Sequence, residues 1–111
     1  MTVRLNILAG GALALSVLAL GSPSPGGEPR VHEIEVANLA IGPAPAGLHV
    51  NDIVEWMNAD IFQHTATAAD GSFDVDLPAG AKGRTILKRA GVVDYFCRFH
   101  PGMKGRLEVA P

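Results

Sequence analysis

The sequence is poor in cysteine, in aromatic side chains and in segments with helical periodicity. It has one cysteine, Cys97, among 111 residues, and aromatic residues make up 5% of the chain. A single cysteine excludes a disulfide within the chain. An unpaired thiol in an oxidising compartment therefore needs another explanation, and a bond to a metal would supply one.

Long apolar runs are confined to the beginning of the chain. Residues 5–20 are almost wholly apolar, follow the single base Arg4, and end near the small residues Ala19 and Gly21. This pattern predicts a signal peptide over residues 1–21, cleaved after Gly21, and hence a periplasmic or exported protein. A retained membrane anchor is the alternative, although the run is shorter than the roughly 20 apolar residues that a span needs.

The remaining chain divides into a short leader and one domain. Residues 22–30 are rich in Pro, Gly and Ser, which predicts a flexible leader. Residues 31–111 suffice for one small domain. Their charge is uneven, because residues 28–76 contain nine acids and one base, whereas residues 77–111 contain seven bases and two acids.

Within residues 31–111, short runs of alternating polarity are separated by Gly, Pro, Asn and Asp. This pattern predicts an all-β fold, a Greek-key β-sandwich or barrel of about 7–8 strands, with residues 72–83 irregular. In the run 61–69, alternation places Phe62, His64 and Ala66 inward and Thr65 outward. Cys97 is predicted to face inward as well.

The other histidines and the tryptophan have plainer interpretations. His32 lies on an alternating strand and His49 lies next to a glycine-rich connection, so both are predicted to be ordinary surface or edge residues. Trp56 is predicted to lie in the core.

The segment "CRFHPGM" at residues 97–103 contains three possible metal ligands at three-residue steps, Cys97, His100 and Met103. They can face one point only if the chain curls back, and Pro101 and Gly102 are suited to such a turn. Two histidines, one thiolate and a weak axial methionine are the ligands of a blue-copper electron-transfer site. The second histidine must come from another strand, and His64 is the best placed.

The stretches "WMNADIFQHTAT", "DGSFD", "AGVVDYFCRFHPGM" and "KGRLEV" resemble the cupredoxins. Among these type 1 blue copper proteins, the chain is most similar to the small periplasmic amicyanin and pseudoazurin-like members. The short spacing between Cys97, His100 and Met103 is similar to that of the amicyanin loop. The resemblance implies one copper ion per chain, bound by His64, Cys97, His100 and Met103. One difference is that Thr65 follows His64, where amicyanin has an asparagine that braces the cysteine loop.

The resemblance also implies a soluble one-electron carrier, a monomer, that exchanges electrons with a dehydrogenase, cytochrome or oxidase. The edge of the His100 ring would then lie in an apolar docking patch with Phe99 and Pro101, surrounded by a basic rim of Arg98, Lys104 and Arg106. Partners would accordingly present acidic surfaces, and neither nucleic acid nor a small-molecule substrate is expected. The alternative interpretation of the three bases is that they are solubilising charges.

Other functions remain open on the sequence. A copper chaperone or sequestration protein would use the same soft ligands, although such proteins are often rich in Met or Cys. A structural domain with a vestigial site is a third interpretation. An enzyme is not expected, because a Cys–His nucleophile pair on one short loop would lack a third group to orient it.

Overall fold

The computed structural model describes residue 2, residues 10–12 and residues 27–111. The predicted signal peptide, residues 1–21, and the predicted leader, residues 22–30, fall largely outside the described residues. Among the residues that are described, there is no helix of the length and apolarity needed to cross a membrane.

The described chain forms nine strands and no helix. The strands are Val31–Ala37 (β1), Ala40–Ile41 (β2), Leu48–His49 (β3), Ile53–Asn58 (β4), His64–Ala68 (β5), Asp74–Leu77 (β6), Lys82–Ile86 (β7), Gly91–Phe96 (β8) and Lys104–Ala110 (β9). The predicted all-β sandwich is confirmed. The strand count exceeds the prediction because β2 and β3 have two residues each, and because β6 lies in the segment that was expected to be irregular.

Two sheets form the sandwich. One has the strand order β2-β1-β4-β7 and the other β3-β9-β8-β5-β6. The pairs β1–β4 and β3–β9 are parallel, and the other pairs are antiparallel. Because Val31 pairs with Ile53 and Val36 pairs with Asn58, the beginnings of β1 and β4 lie at one end of the sandwich and Asn58 lies at the other.

An aromatic cluster lies in the core between the sheets. Trp56 is fully buried, and its ring centroid lies 5.4 Å from that of Phe73 and 5.6 Å from that of Tyr95. The indole Nε1 of Trp56 donates a hydrogen bond of 3.2 Å to the Tyr95 hydroxyl, so the buried N–H is satisfied. The predicted core position of Trp56 is confirmed.

The inward position predicted for Phe62 is wrong, because its side chain is 48% exposed. β5 begins only at His64, so the alternation that places His64 and Ala66 inside does not extend back to Phe62. Thr65 was predicted to point outward, but it is buried, because the connection between β8 and β9 covers it.

His32 lies on an edge, as predicted, because β2 pairs only with the last two residues of β1, but it is not an ordinary surface residue. The buried carboxylate of Asp52 accepts hydrogen bonds from the His32 Nε2, at 2.9 Å, and from the backbone N–H groups of Arg30 and His49, both at 3.0 Å. The His32 side chain is only 14% exposed. Its pairing with Asp52 joins segments that are 20 residues apart in the sequence, so strand alternation alone gives no indication of it. The side chain of His49 is 45% exposed, in keeping with the predicted surface or edge position.

Candidate metal centre

His64 is the first residue of β5, and its side chain is fully buried. Its Nδ1 atom lies 3.6 Å from the Cys97 sulfur. Alternation along β5 turns His64 to the same face as Ala66 and Ala68, so the strand holds the imidazole in the interior of the sandwich.

Cys97, His100 and Met103 lie on the connection between β8, which ends at Phe96, and β9, which begins at Lys104. The backbone N–H of Cys97 donates to the Met103 carbonyl at 3.0 Å, and the N–H of Met103 donates to the His100 carbonyl at 2.8 Å. These two bonds close the loop at its base. The turn expected at Pro101 and Gly102 is present, and it joins His100 to Met103, which in turn is bonded to Cys97.

The imidazoles of His64 and His100 converge on the buried thiol of Cys97. The His100 Nδ1 lies 3.9 Å from the sulfur, and the three possible ligand atoms all lie within 4.8 Å of one another. With metal–sulfur and metal–nitrogen bonds of about 2.3 and 2.0 Å, as in zinc sites, a sulfur and a nitrogen ligand 110–120° apart are about 3.5–3.7 Å from each other, and two nitrogens are about 3.3–3.5 Å apart. The three side chains are therefore spaced to bind one metal ion. Met103 is buried at the base of the same loop.

The surroundings of Cys97 favour the thiolate, which is the form that binds metals. Burial alone would raise the pKa of the thiol. Hydrogen bonds from the Thr65 backbone, the His100 and His64 rings and the Phe99 backbone outweigh burial and lower the pKa of Cys97 to about 6.

Thr65 braces the loop that carries Cys97. Its buried hydroxyl oxygen accepts a hydrogen bond of 2.9 Å from the backbone N–H of Arg98. The same hydroxyl lies 2.9 Å from the Thr67 hydroxyl, which donates to Asp74 at 2.7 Å. Thr65, the residue after His64, thus makes a bracing contact with the loop. In amicyanin, which this sequence resembles, an asparagine stands at that position.

Asp60 is a neighbour of the site that the sequence did not reveal. Its Oδ2 atom lies 2.8 Å from the Nε2 of His64, the ring nitrogen that faces away from Cys97. Burial would lower the pKa of His64, but the hydrogen bonds to Asp60 and to Cys97 raise it above its ordinary value. The contact depends on the loop between β4 and β5, where periodicity makes no prediction.

The surface beside His100 is apolar. His100 is partly exposed, whereas His64 and Cys97 are fully buried. Phe99 is 51% exposed, Pro101 is exposed, and the Phe62 ring centroid lies 6.2 Å from that of His100. Phe62, Phe99 and Pro101 together are called the apolar rim below.

The three bases predicted to form a basic rim differ in their surroundings. Arg98 forms ion pairs with Asp74 at 3.2 Å and Asp76 at 3.1 Å, and Arg106 forms one with Asp94 at 2.8 Å. Within residues 27–111, Lys104 has no carboxylate within ion-pair distance. Carboxylates thus balance two of the three charges, and Lys104 is left as the base without such a partner.

Comparisons with known proteins find similarity in structure but not in sequence. No protein-family model matches the chain, and no curated protein matches it. Among solved structures, a Cu(I) form of an amicyanin variant is 21% identical, covers 71% of this chain and 81% of its own, and has a TM-score of 0.60. Amicyanin from Paracoccus versutus is 20% identical over 69% of this chain and 78% of its own, with a TM-score of 0.59.

Proposed function

We propose that this chain, whose fold is that of the cupredoxins, is a type 1 blue copper protein that carries single electrons between redox proteins. His64, Cys97 and His100 would hold the copper, with Met103 as the weak axial ligand. The observation that carries the proposal is the convergence of two imidazole Nδ1 atoms on a buried thiol whose pKa is lowered to about 6. The fold shared with amicyanin supports it.

The donor set fits copper. A thiolate, two imidazoles and a thioether are the soft and borderline ligands that blue-copper sites use. When bound, the copper would supply a one-electron couple between Cu(I) and Cu(II). β5 and the closed loop between β8 and β9 hold the ligands in place before any metal arrives. A carrier benefits from such a scaffold, because little of the protein has to move when the charge of the metal changes.

The burial of the ligands supports electron transfer over catalysis or metal delivery. Four protein ligands would leave no position for a substrate, whereas catalytic metal sites keep one open. A copper chaperone or sequestration protein is the alternative function, but such proteins favour exposed, exchangeable ligands, and Cys97 is fully buried. Of the three ligands that converge, only His100 reaches the surface, so we propose that electrons enter and leave the site through its ring.

The first test is a copper(II) titration of the purified, reduced protein, followed by visible absorption. We expect an intense blue band that saturates at one equivalent and is absent in Cys97→Ser. A colourless protein that binds only Cu(I) would instead support copper handling. A protein that binds neither ion would support the vestigial site.

The partners are proposed to be redox proteins that dock at the apolar rim. Because Lys104 has no carboxylate partner, we expect Lys104→Gln to slow association with an acidic partner and to weaken its dependence on salt. The double variant Asp94→Asn/Arg106→Gln is the matched control, since it removes a balanced pair and leaves the net charge unchanged. Stopped-flow electron transfer over a range of ionic strengths measures both variants. Equal effects of the two would contradict the assignment to Lys104.

The proposed location is the periplasm or the exterior of the cell, on the pattern of residues 1–21. Mass spectrometry of the protein recovered from the producing cells tests this proposal. A mature chain beginning at Ser22 is expected, and an intact N-terminus in the membrane fraction would support an anchor instead.

A further inference from the structure

We propose that Asp60 is a positioning residue that fixes the ring of His64 and lowers the reduction potential of the metal, and that the turn between β1 and β2 holds Asp60 in place. The proposal rests on the proposed copper function, because the potential belongs to the bound metal. It assigns a role to a side chain outside the four ligands and to a turn from a different part of the chain.

The first step is the tautomer of His64. The buried ring has Nδ1 facing the Cys97 sulfur at 3.6 Å and Nε2 facing the Asp60 Oδ2 at 2.8 Å. A carboxylate accepts hydrogen bonds and donates none when it is ionised, so the proton of the neutral ring lies on Nε2. The Nδ1 proton that hydrogen-bonds the Cys97 thiolate belongs to the charged ring; in the neutral ring the Nδ1 lone pair points at the sulfur and is available to a metal.

The second step is the anchoring of Asp60. Its Oδ1 accepts the backbone N–H of Asn38 at 2.6 Å, and its Oδ2 accepts the N–H of Leu39 at 2.9 Å. Both oxygens are therefore fixed by backbone groups, and the one at His64 cannot rotate away without breaking these bonds. Since both oxygens accept N–H groups, the side chain is placed here as an acceptor on both sides, as a carboxylate is.

The third step is the conformation of the turn. Asn38 and Leu39 have φ angles of 54° and 58°, in the left-handed region, and Ala37 pairs with Ala40 on either side of them. Hairpin turns of this kind usually contain Asn-Gly, because glycine adopts positive φ without strain. Here a leucine occupies the second position, and this backbone shape directs two successive N–H groups at one carboxylate. Such paired N–H groups are a common binding arrangement for anions.

The consequence for the metal follows from charge. A carboxylate on the distal nitrogen makes a histidine ligand more basic. The more positive Cu(II) gains more from that basicity than Cu(I) does, so the ionised Asp60 favours the oxidised state. A neutral group at the same place would favour it less.

The test is Asp60→Asn in the full-length, copper-loaded protein, with the affinities for Cu(II) and Cu(I) and the reduction potential measured. We expect Cu(II) affinity to fall by about 10- to 100-fold, the usual cost of losing such a partner, and Cu(I) affinity to fall less. Each tenfold fall in the ratio of Cu(II) affinity to Cu(I) affinity raises the one-electron reduction potential by about 59 mV. If the variant loses stability but keeps its potential, Asp60 serves only the turn and the proposal is overturned.

Two further variants keep the test decisive. Asp70→Asn is the matched control, because Asp70 also accepts a backbone N–H in a turn, from Ser72 at 2.9 Å, but has no contact with the histidines. Its potential should be unchanged. Should Asp60→Asn alone fold poorly, adding Leu39→Gly relieves the left-handed strain, and the double variant should still show the raised potential. An unchanged potential in the folded double variant overturns the proposal.

A measurement on the metal-free protein separates this proposal from the copper function. At a pH where the His64 ring is neutral, nitrogen-15 NMR should show the proton on Nε2 in the wild type and a mixture of tautomers in Asp60→Asn. A neutral ring with its proton on Nδ1 in the wild type overturns the proposed role of Asp60. If the tautomer is as predicted but the protein forms no blue copper site, the positioning of His64 by Asp60 is supported and the electron-carrier function is contradicted.

Discussion

At the scale of single residues, Thr65 shows how a short side chain can brace a metal-binding loop. Its hydroxyl reaches the Arg98 N–H because β5 and the segment after β8 lie side by side, so no longer side chain is needed. Thr67 and Asp74 extend the contact to the neighbouring strand β6. The bracing of Cys97 therefore passes through two strands of one sheet.

We expect Thr65→Val to lower the free energy of unfolding by about 1–3 kcal/mol, because the Arg98 N–H loses its acceptor while the shape of the side chain is kept. Copper should also dissociate faster from this variant. Denaturant unfolding and transfer of copper to a chelator measure the two effects. Thr85→Val, a half-buried threonine on β7, is the control, and equal losses in both variants would contradict the bracing role.

At the scale of elements, the β8–β9 hairpin depends on a glycine opposite a tyrosine. Gly105 pairs with Tyr95, and a Cβ atom at position 105 would overlap the tyrosine ring. The Tyr95 hydroxyl is held from the other side by Trp56. The ring therefore fills the space over Gly105 and has little freedom to move away.

Gly105→Ala should destabilise the fold by about 1–3 kcal/mol, the usual cost of inserting a methyl group into a packed core. Urea unfolding followed by Trp56 fluorescence measures the change. Glu108→Ala, at an exposed position of β9, should have a much smaller effect. An unchanged midpoint for Gly105→Ala would mean that Tyr95 is freer to move than its packing indicates.

Alternation along the strands was enough to predict the sandwich and the inward positions of His64 and Cys97. One side of β5, and one side of β8 continued to Cys97, faces the core, so a period of two residues determines the direction of each side chain. The cluster of His64, Cys97 and His100 followed from the loop spacing together with one strand. Ligation by Met103 and the docking role of the apolar rim remain proposals.

The interactions that could not be predicted join segments far apart in the sequence. Asp60 meets Asn38 and Leu39 because β1 and β4 run parallel with Val36 opposite Asn58, which brings the following loops together. No local pattern encodes that register. The error at Phe62 has a related cause, since only the pairing with β6 and β8 shows that β5 begins at His64.

At the scale of the whole molecule, a second polar centre lies at the end of the sandwich away from Asn58. There the Asp52 carboxylate ties the beginnings of β1 and β4 to the end of β3. Burial would raise the pKa of Asp52, but hydrogen bonds from the Arg30 N–H, His32 and the His49 N–H together lower it below the ordinary value.

A carboxyl whose pKa is lower in the folded state stabilises the fold above the unfolded pKa, about 3.9 for aspartate. That contribution is lost as the pH falls from about 5 through the folded pKa. We therefore expect the wild type to have a larger free energy of unfolding than Asp52→Asn, most clearly near pH 7. The difference between the two should shrink below pH 5. Thermal unfolding of the metal-free proteins from pH 7 to pH 3.5 measures it. Parallel curves would contradict the linkage.

The parallel pairing of β3 with β9 has a consequence for how the chain folds. β9 lies between β3 and β8, so the five-stranded sheet has no neighbour for β3 until residues beyond Lys104 have been synthesised. Contacts between such distant segments must close a large loop before they contribute any stability, and all-β domains of this kind fold in about milliseconds to seconds. Until then Leu48 and His49 have no strand to pair with in the five-stranded sheet. Folding is therefore expected to be a late, concerted event.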